Sequence, residues 1–416
     1  MGIGGSGMSA VAQIAHSQGY HITGCDLKLD TPYINKIKKL GISVLSGHSA
    51  DHLNTIDILA VTPAAFYLNP DHPELIEGRR RNILMKWQEF MSTYLHKNKF
   101  VICVAGTHGK STTTAWVGHL LENAKMDPTV EIGATDNLWK NNVRVGKSKY
   151  FVSEADEFHD NFSSYRPDII ILNNLEMDHP EYFDTQEKLL TTYQNFLDHL
   201  KTNGLLIFNA NSPLIQKLKL PQKSIPYSLS EFPRDVKLSV PGDHNKSNAM
   251  GIIKLAKHLK INDELINQSL TNFQGVGRRI ELLGEKRGVK VYDDYANHPT
   301  AFAAVLSALH KTFRQSRLIA VIEPHTFSRL RTLLPELPAS LKLANEIIIS
   351  KIFPSRETDP GDFSGTDIAK AINGKYIPEF PDIVNTIKSE VKSGDVVVVM
   401  GSGNSYKLSK QILDSL

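Results

Sequence analysis

Short apolar runs alternate with amphipathic stretches along most of this chain. The alternation is typical of strand–helix–strand units, in which crossover helices join parallel strands. The clearest element is the unbroken apolar run Phe100–Ala105, which predicts a strand buried on both faces. After it, apolar residues recur at helical spacing and predict a helix with one apolar face, formed by Val117, Leu120, Leu121 and Ala124. The pattern therefore predicts an α/β fold with mostly parallel sheets.

The same alternation continues on both sides of this strand and predicts three domains. Other apolar runs predict strands near residues 22–25, 58–61, 150–153, 168–172, 204–208, 289–292, 318–322, 346–350 and 396–400. The polar stretch 96–99 and the glycine-rich stretch 274–277 mark the boundaries. We expect an N-terminal Rossmann-like domain in residues 1–98, a central P-loop domain in 99–276 and a C-terminal Rossmann-like domain in 277–416.

A glycine-rich turn links the buried strand to the helix that follows. It reads Gly106-Thr107-His108-Gly109-Lys110-Ser111-Thr112. Such a loop presents backbone N–H groups and the positive end of a helix dipole to a polyphosphate. Lys110 would contact the β- and γ-phosphates, and the Ser111 hydroxyl would bind a Mg²⁺ ion. Val104 stands where the full P-loop pattern has its first glycine. The strand before and the helix after nevertheless favour nucleotide binding over an ordinary turn.

Acidic and histidine residues follow two other predicted strands. Glu154 and Glu157 come after the strand near 150–153, and Asp178 and His179 follow the strand near 168–172. Because ligands gather beyond the carboxyl ends of parallel strands, we expect these side chains near the glycine loop. Taken alone, Glu154 is better explained as a solvated loop acid, and His179 as a loop histidine with its hydrogen bonds satisfied. Their shared position favours a site for the metal ion that neutralises a triphosphate.

A second glycine loop occurs at the start of the chain. It reads Gly2-Ile3-Gly4-Gly5-Ser6-Gly7, before a helix expected from about residue 8. Asp26 follows Gly7 by nineteen residues, which fits the fingerprint of a dinucleotide-binding loop. Only Met1 precedes the loop, where a strand is expected. We therefore expect either a truncated start or a sheet that lacks its first strand.

Composition narrows the possible partners. Among 416 residues, 47 Lys plus Arg balance 44 Asp plus Glu, which excludes a strongly basic field for nucleic acid or anionic membranes. Two cysteines, Cys25 and Cys103, are too few for a disulfide framework or for a zinc site by themselves. No apolar stretch approaches the roughly 20 residues that span a bilayer. We expect a cytoplasmic protein without nucleic-acid or membrane partners, of undetermined oligomeric state.

Five motifs, taken in chain order, resemble the Mur ligase family. They are GTHGKSTTT at 106–114, EADE at 154–157, NNLEMDH at 173–179, GDHNKSNA at 242–249 and GVGRR at 275–279. Mur ligases are ATP-dependent ligases of peptidoglycan precursor synthesis that join an amino acid or peptide to a UDP-linked muramic acid. The resemblance covers essentially the whole chain. It implies an N-terminal UDP-substrate domain, a central ATPase domain, a C-terminal domain, and ATP and Mg²⁺ as cofactors.

The resemblance also implies roles for individual residues. The implied catalytic residues are Lys110, Glu154, His179 and Arg279. The implied metal ligands are Ser111, Glu154 and His179. The implied ATP contacts are the loop residues 106–112 together with Asn248, Arg279 and Asp294. The implied UDP-substrate contacts are Gly4, Gly5, Ser6, Gly7, Asp26 and His48. The implied amino-acid contacts are His298, His325 and Arg329.

Within the family, the motifs at 2–9, 293–300 and 323–329 favour members that add L-alanine to UDP-N-acetylmuramate. The expected reaction forms an acyl phosphate on the sugar's lactyl carboxylate, which the amine then attacks. Members that attach a recycled tripeptide to the same nucleotide sugar are the closest alternative. Asp243 and Thr326 depart from the alanine-adding pattern, which has arginine at both positions. An inactive nucleotide-binding paralogue is a further alternative, and an NAD-dependent oxidoreductase rests on the N-terminal glycine loop alone.

Overall fold

The computed structural model describes residues 1–355 and 357–416. Its α-helices are α1 Ser6–Ser17, α2 Pro32–Lys39, α3 Pro63–Leu68, α4 Pro73–Arg80, α5 Trp87–Phe90, α6 Lys110–Asn123, α7 Gln186–Asp198, α8 Asp243–His258, α9 Asp263–Asn272, α10 Pro299–Thr312, α11 Phe327–Leu333, α12 Leu337–Leu341, α13 Gly365–Ile372, α14 Phe380–Glu390 and α15 Ser405–Ser415. Short 3₁₀ turns lie at Ala50–Leu53, Phe158–Ser164, Ile215–Lys217, Leu229–Glu231 and Leu334–Glu336, and a π-helical turn lies at Met91–Leu95.

The strands follow the predicted alternation with the helices. They are β1 Thr23–Asp26, β2 Ser43–Ser46, β3 Leu59–Val61, β4 Leu84–Lys86, β5 Phe100–Ala105, β6 Thr129–Glu131, β7 Val143–Arg144, β8 Tyr150–Glu154, β9 Ile169–Leu172, β10 Leu205–Asn209, β11 Ser224–Tyr227, β12 Glu281–Lys286, β13 Val289–Asp294, β14 Leu318–Ile322, β15 Glu346–Ile349, β16 Lys375–Tyr376 and β17 Val396–Met400. The predicted α/β class is confirmed.

The central sheet positions the first glycine-rich turn. Within the described residues it has the strand order β11-β10-β9-β5-β8-β6-β7, and only β6 and β7 pair antiparallel. Strand β5 therefore lies between β9 and β8. The segments that leave these three strands start from the same edge of the sheet, which is where parallel sheets bind their ligands.

The C-terminal sheet has the same character. Its order across the described strands is β12-β13-β17-β14-β15-β16, parallel except for β12 and β13. Helix α10 packs on it through an apolar stripe, with Phe302, Val305, Leu306 and Leu309 all buried. The second doubly wound sheet is thus confirmed.

The N-terminal strands form two separate parallel pairs, β1 with β2 and β3 with β4. Residues 1–3 link the pairs at the position where the glycine-loop pattern expects a strand. The Gly2 N–H donates to the Cys25 carbonyl at 2.9 Å, and the Met1 amino group donates to the Ala60 carbonyl at 2.9 Å. The Thr62 N–H in turn donates to the Met1 carbonyl at 3.2 Å.

Two helix boundaries differ from the prediction. Helix α1 begins at Ser6 rather than near residue 8, because Gly5 is already the extended N-cap and Ser6 and Gly7 form the first turn. A Cβ atom on Gly7 would lie 2.6 Å from the Trp87 ring, so this turn packs closely against Trp87. Helix α6 ends at Asn123, and Ala124 is its C-cap rather than part of its apolar face. The periodic spacing of apolar residues does not locate the first and last residues of a helix.

The chain forms two compact units. One contains residues Met1–Glu176, Glu187–Val236 and Asn248–Phe273, and the other contains Met177–Gln186, Lys237–Ser247 and Gln274–Leu416. The division into three domains at residues 98 and 276 stays a prediction. Among the described residues, no helix combines the length and the apolar character needed to cross a membrane.

His96 is a buried titratable group in the first unit, outside the strand edge described above. Its ring meets the edges of Phe151 and Tyr165, with centroids 4.5 and 5.2 Å away. Neither ring nitrogen has a hydrogen-bond partner among the described residues. Burial lowers the pKa of His96 to about 3, so the folded protein holds a neutral imidazole. Protonation of this ring therefore favours the unfolded chain.

We predict that His96→Phe reduces the loss of stability in mild acid. Because the folded pKa lies below the unfolded value of about 6.5, the unfolded chain binds more protons as pH falls, and stability decreases. Between pH 7 and 5 the native protein should lose about 2 kcal/mol more than the variant. Urea denaturation at both pH values measures this difference. The exposed His258→Phe serves as control, and an equal loss in His96→Phe and the native protein would exclude His96 as the source.

Candidate active site

The glycine-rich turn after β5 depends on two glycines. Gly106 and Gly109 have φ values of +132° and +79°, which residues with a side chain rarely adopt. A Cβ atom on Gly106 would lie 2.8 Å from the Asn174 carbonyl oxygen, and one on Gly109 would lie 2.8 Å from Asn248 Oδ1. The turn therefore has no space for larger residues at either position. The same packing places the buried Asn248 of α8 against the turn.

The segment after β9 holds the turn in shape. The Thr107 N–H donates to the Asn174 carbonyl at 3.2 Å, and the His108 N–H donates to Asn174 Oδ1 at 2.8 Å. The Asn174 amide returns a bond to the His108 carbonyl at 3.0 Å, and the Thr107 hydroxyl donates to the Glu176 carbonyl at 3.1 Å. The N–H groups of residues 110–112 begin α6 and have no intrahelical acceptor, so these are the groups available to an anion.

Lys110 is held at the start of α6 by a buried acid. Its Nζ donates to the Gly106 carbonyl at 2.7 Å and to Glu157 Oε2 at 2.9 Å. Burial lowers the pKa of Lys110, but the charges of Glu157, Asp156 and Glu154 outweigh burial and raise it overall. The lysine therefore stays charged. The sequence placed Glu157 near the glycine turn but did not predict that it pairs with Lys110.

Ser111 and Glu154 come together as predicted. The Ser111 hydroxyl donates to Glu154 Oε1 at 3.0 Å, and the Gly133 N–H donates to Glu154 Oε2 at 2.7 Å. Glu154 is the last residue of β8, and Ser111 lies in the first turn of α6. Two oxygen donors beside a phosphate-binding turn are the ligands that Mg²⁺ prefers, since it binds one or two protein oxygens and keeps several waters. These two residues fit the predicted ion.

His179 belongs to the second unit, whereas Ser111 and Glu154 belong to the first. Its Nδ1 lies 3.2 Å from Glu181 Oε1 and 3.2 Å from Arg329 Nη2. Burial raises the pKa of Glu181, but the hydrogen bond and charge of His179 outweigh burial and lower it overall. The role of His179 in the same metal site as Ser111 and Glu154 stays a prediction.

Arg329 is the buried cation of the second unit. It is 2% exposed, and its Nη2 lies 2.9 Å from Asp178 Oδ1. Its Nη1 lies 3.5 Å from His325 Nδ1. Its Nε is buried without a hydrogen-bond partner in the part of the chain that the structure describes. The structure thus joins Arg329 and His325, which the sequence grouped as amino-acid contacts. The neighbouring Thr326 is buried with φ +63°.

His298 has a structural function at the N-terminus of α10. Its Nδ1 accepts the Thr300 N–H at 3.3 Å, which caps the helix, and its Nε2 lies 3.2 Å from the Met177 carbonyl oxygen. The second contact requires the proton on Nε2, since a carbonyl only accepts. His298 therefore fixes the segment that carries Asp178 and His179. A direct contact of His298 with an amino acid stays a prediction.

Arg279 and Asp294 lie near each other in the second unit, at the start of the C-terminal sheet. The Asp294 oxygens accept hydrogen bonds from the N–H groups of Ile280 at 2.6 Å and Ala296 at 2.7 Å, so this carboxylate stabilises the backbone around it. Burial raises the pKa of Asp294 although the charge of Arg279 opposes the rise. The Arg279 guanidinium stacks 4.6 Å from the Tyr295 ring centroid. Their contacts with ATP stay predictions.

Asp243, one of the two departures from the expected pattern, has its own partners. Its oxygens lie 2.5 Å from Lys311 Nζ and 3.0 Å from Lys246 Nζ. These hydrogen bonds lower the pKa of Asp243. The acid is thus neutralised within the second unit.

In the N-terminal glycine loop, Asp26 bonds to the backbone, and its predicted contact with the UDP substrate stays a prediction. Asp26 Oδ2 accepts the Gly4 N–H at 2.8 Å, while Oδ1 accepts the Lys28 N–H at 3.1 Å. The loop opens the twelve-residue helix α1, whose dipole favours an anion there. His48 contacts the residue before Asp26, since its Nδ1 lies 3.1 Å from the Cys25 sulfur. Its predicted contact with uridine stays a prediction.

Comparisons with known proteins show which family this chain is similar to. Three family models match along the chain: "Mur ligase family, catalytic domain" over residues 1–98, "Mur ligase middle domain" over 104–237 and "Mur ligase, glutamate ligase domain" over 278–403. UDP-N-acetylmuramate–L-alanine ligase of Clostridium acetobutylicum is 33% identical, and the match covers 99% of this chain and 96% of that protein. The enzyme of the same name from Clostridium tetani is 34% identical over 98% of this chain and 95% of that protein.

Two solved structures have the same fold as this chain. The UDP-N-acetylmuramate–alanine ligase of Thermotoga maritima superposes with a TM-score of 0.82 at 25% identity, covering 99% of this chain and 97% of that one. A murein peptide ligase of Psychrobacter arcticus superposes with a TM-score of 0.69 at 24% identity, covering 100% and 97%. The second likeness shows a shared fold.

We predict that Gly109→Ala weakens binding of a non-hydrolysable ATP analogue by at least about tenfold, which corresponds to about 1.4 kcal/mol. The new methyl group would meet Asn248 and require a disfavoured φ, so the N–H groups at the start of α6 would shift. Gly41→Ala is a matched control, since Gly41 also has φ +79° but has no atom within 4 Å of its Cβ position. Isothermal titration calorimetry measures both affinities. Equal affinities in the two variants would contradict the assigned loop.

Proposed function

Because the chain belongs to the Mur ligase family, we propose that it is an ATP-dependent ligase that joins L-alanine to UDP-N-acetylmuramate. One observation carries the proposal: the phosphate-binding turn places Lys110 beside the Ser111–Glu154 pair at one edge of the central sheet. The alanine specificity is supported by relatives of that name, which match almost the whole chain at 33% and 34% identity. The murein peptide ligase shares the fold of this chain, and a shared fold does not favour the tripeptide-joining alternative.

The turn suits phosphoryl transfer to a carboxylate. The sugar's lactyl carboxylate and the γ-phosphate are both anions, so their approach is opposed by charge repulsion. The Lys110 ammonium and the N–H groups of residues 110–112 stabilise the charge that develops on the phosphoryl oxygens. A Mg²⁺ ion held by Ser111 and Glu154 would neutralise further phosphate charge. Glu157 keeps Lys110 protonated and oriented on the turn.

The second unit supplies the groups for the amino-acid substrate. An incoming L-alanine carries a carboxylate, which a guanidinium binds best through two parallel hydrogen bonds. Asp178 and His179 contact Nη2 of Arg329, while Nε has no partner within the described residues. We assign this Nε–H to the substrate carboxylate. Burial of Arg329 at 2% exposure strengthens such a charged hydrogen bond.

The N-terminal loop is assigned to the diphosphate of the nucleotide sugar. Asp26 fixes Gly4, and the loop leads into α1 with its N-terminal N–H groups unpaired within the helix. Helix-dipole binding alone does not distinguish one diphosphate from another, so the UDP moiety is assigned from the family. The cytoplasmic location is part of this proposal.

We predict that the purified protein releases phosphate from ATP only when both UDP-N-acetylmuramate and an amine are present, with L-alanine as the preferred amine. A coupled ADP assay comparing L-alanine, glycine, L-serine and the cell-wall tripeptide measures this. Lys110→Ala should lower kcat by at least about 10³-fold, equal to about 4 kcal/mol, because it removes a cation from the transition state. Lys125→Ala, in the turn after α6, is the control. Faster turnover with tripeptide than with L-alanine would establish the alternative specificity.

We further predict that Arg329→Lys raises KM for L-alanine by at least about tenfold while KM for ATP changes little. Lysine keeps the charge near Asp178 but lacks the Nε–H that faces the proposed carboxylate. Arg331→Lys is the control, because Arg331 lies on the same helix and pairs with Asp362 at the surface. Steady-state kinetics with each substrate varied in turn measures the effect. A rise in KM for ATP alone would remove Arg329 from the amino-acid site.

A further inference from the structure

Four metal-binding side chains of three types converge in the first unit. Cys25 lies in β1, His48 follows β2, His52 lies in the 3₁₀ turn Ala50–Leu53, and Glu74 lies in the first turn of α4. The proposed ligase reaction uses neither the thiol nor the Glu74 carboxylate. Both are buried, with exposures of 3% and 1%.

The donor atoms of these side chains are closely spaced. The Cys25 sulfur lies 3.2 Å from Glu74 Oε1 and 3.1 Å from His48 Nδ1. His48 Nδ1 lies 3.5 Å from Glu74 Oε2, and His52 Nδ1 lies 3.8 Å from Glu74 Oε1. For Cys25, His52 and Glu74, one donor atom from each lies within 4.8 Å of the others. Donors that share one tetrahedral Zn²⁺ ion, at bonds of about 2.0–2.3 Å, lie roughly 3.3–3.7 Å apart.

We propose that Cys25, His52 and Glu74 form a binding site for one divalent transition-metal ion, with His48 Nδ1 beside the sulfur and the carboxylate, and that Zn²⁺ is the ion the donors suit best. One thiolate, two imidazoles and one carboxylate are all Zn²⁺ ligands, and the soft sulfur excludes Mg²⁺ and Ca²⁺ as the preferred ion. The site is separate from Ser111 and Glu154, whose oxygens suit a hard ion. It does not depend on the proposed ligase reaction.

Charge and hydrogen bonding support a bound cation. A buried carboxylate is costly without a cation, and among the described residues no lysine or arginine forms an ion pair with Glu74. His52 Nδ1 is buried without a hydrogen-bond partner in the described part of the chain. A metal ion bound between Cys25, His52 and Glu74 would satisfy both groups.

Metal binding would displace a proton at this cluster. The Cys25 thiol donates to Glu74 Oε1 at 3.2 Å, so without an ion the sulfur carries a proton. Binding of Zn²⁺ would form the Zn–S bond and release this proton to solvent.

The position of the site gives it a structural role. The Cys25 carbonyl accepts the N–H groups of Gly2 at 2.9 Å and Ile3 at 3.2 Å, and the adjacent Asp26 holds Gly4. An ion that fixes Cys25 therefore also fixes the glycine loop. Because β1 and β2 form only a two-stranded pair, this connection between β1, α4 and the 3₁₀ turn stabilises a small sheet.

Cobalt titration of the full-length protein tests the site directly. After chelation and buffer exchange, Co²⁺ is added and the near-ultraviolet thiolate-to-cobalt charge-transfer band is recorded. We expect saturation at one Co²⁺ per chain, loss of the band on addition of Zn²⁺, and loss of the band in Cys25→Ser. Cys103→Ser is the matched control, because Cys103 is buried in β5 and should leave the band unchanged. The band reports a thiolate ligand, so weak binding by other histidines does not contribute.

His52→Ala separates a ligand role from a structural one. Because His52 Nδ1 makes no hydrogen bond in the described structure, the metal-free variant should unfold at nearly the native temperature. Its Zn²⁺ affinity, measured by competition with a chromogenic chelator, should fall at least about 100-fold. A native protein with no charge-transfer band would overturn the proposal, as would Zn²⁺ affinities unchanged by Cys25→Ser and His52→Ala. In those cases the four residues form a hydrogen-bonded cluster only.

Discussion

The structure depends on one electrostatic constraint, the position of a buried ammonium group beside carboxylates at the edge of a parallel sheet. Lys110 cannot leave water without compensation, and Glu157 together with the Gly106 carbonyl supplies it. The compensation comes from β5 and from the segment after β8, which are neighbours only because the sheet order places them side by side. The strand order therefore determines which groups stabilise the charge of Lys110.

The same edge explains why the turn has so little freedom. Asn174 bonds to the backbone of Thr107 and His108, and Asn248 lies where a Cβ atom on Gly109 would be. Some N–H groups of the turn thus maintain its shape, and others remain for an anion. A rigid arrangement of this kind lowers the reorganisation needed when charge develops on a phosphoryl group.

Outside this edge, buried charge is again matched by partners from other elements. Arg329 on α11 forms an ion pair with Asp178. Asp294 accepts hydrogen bonds from two backbone N–H groups of the protein itself. In the N-terminal part, a thiol and two imidazoles contact the Glu74 carboxylate, and no lysine or arginine of the described residues pairs with it. This difference in chemistry is the reason for assigning a metal ion to that cluster and a substrate carboxylate to Arg329.

The sequence by itself determined the α/β class, the strand Phe100–Ala105, the glycine-rich turn with Lys110 and Ser111, and the family, because each rests on local periodicity or on contiguous motifs. It also predicted that Glu154 would join Ser111, since both follow strands of one sheet. Only the tertiary structure decided that Glu157 pairs with Lys110, that Asn174 holds the turn, and that Cys25 meets Glu74 across 49 positions. Such contacts depend on strand order and helix packing, which bring distant residues together, and no local pattern of side chains encodes them.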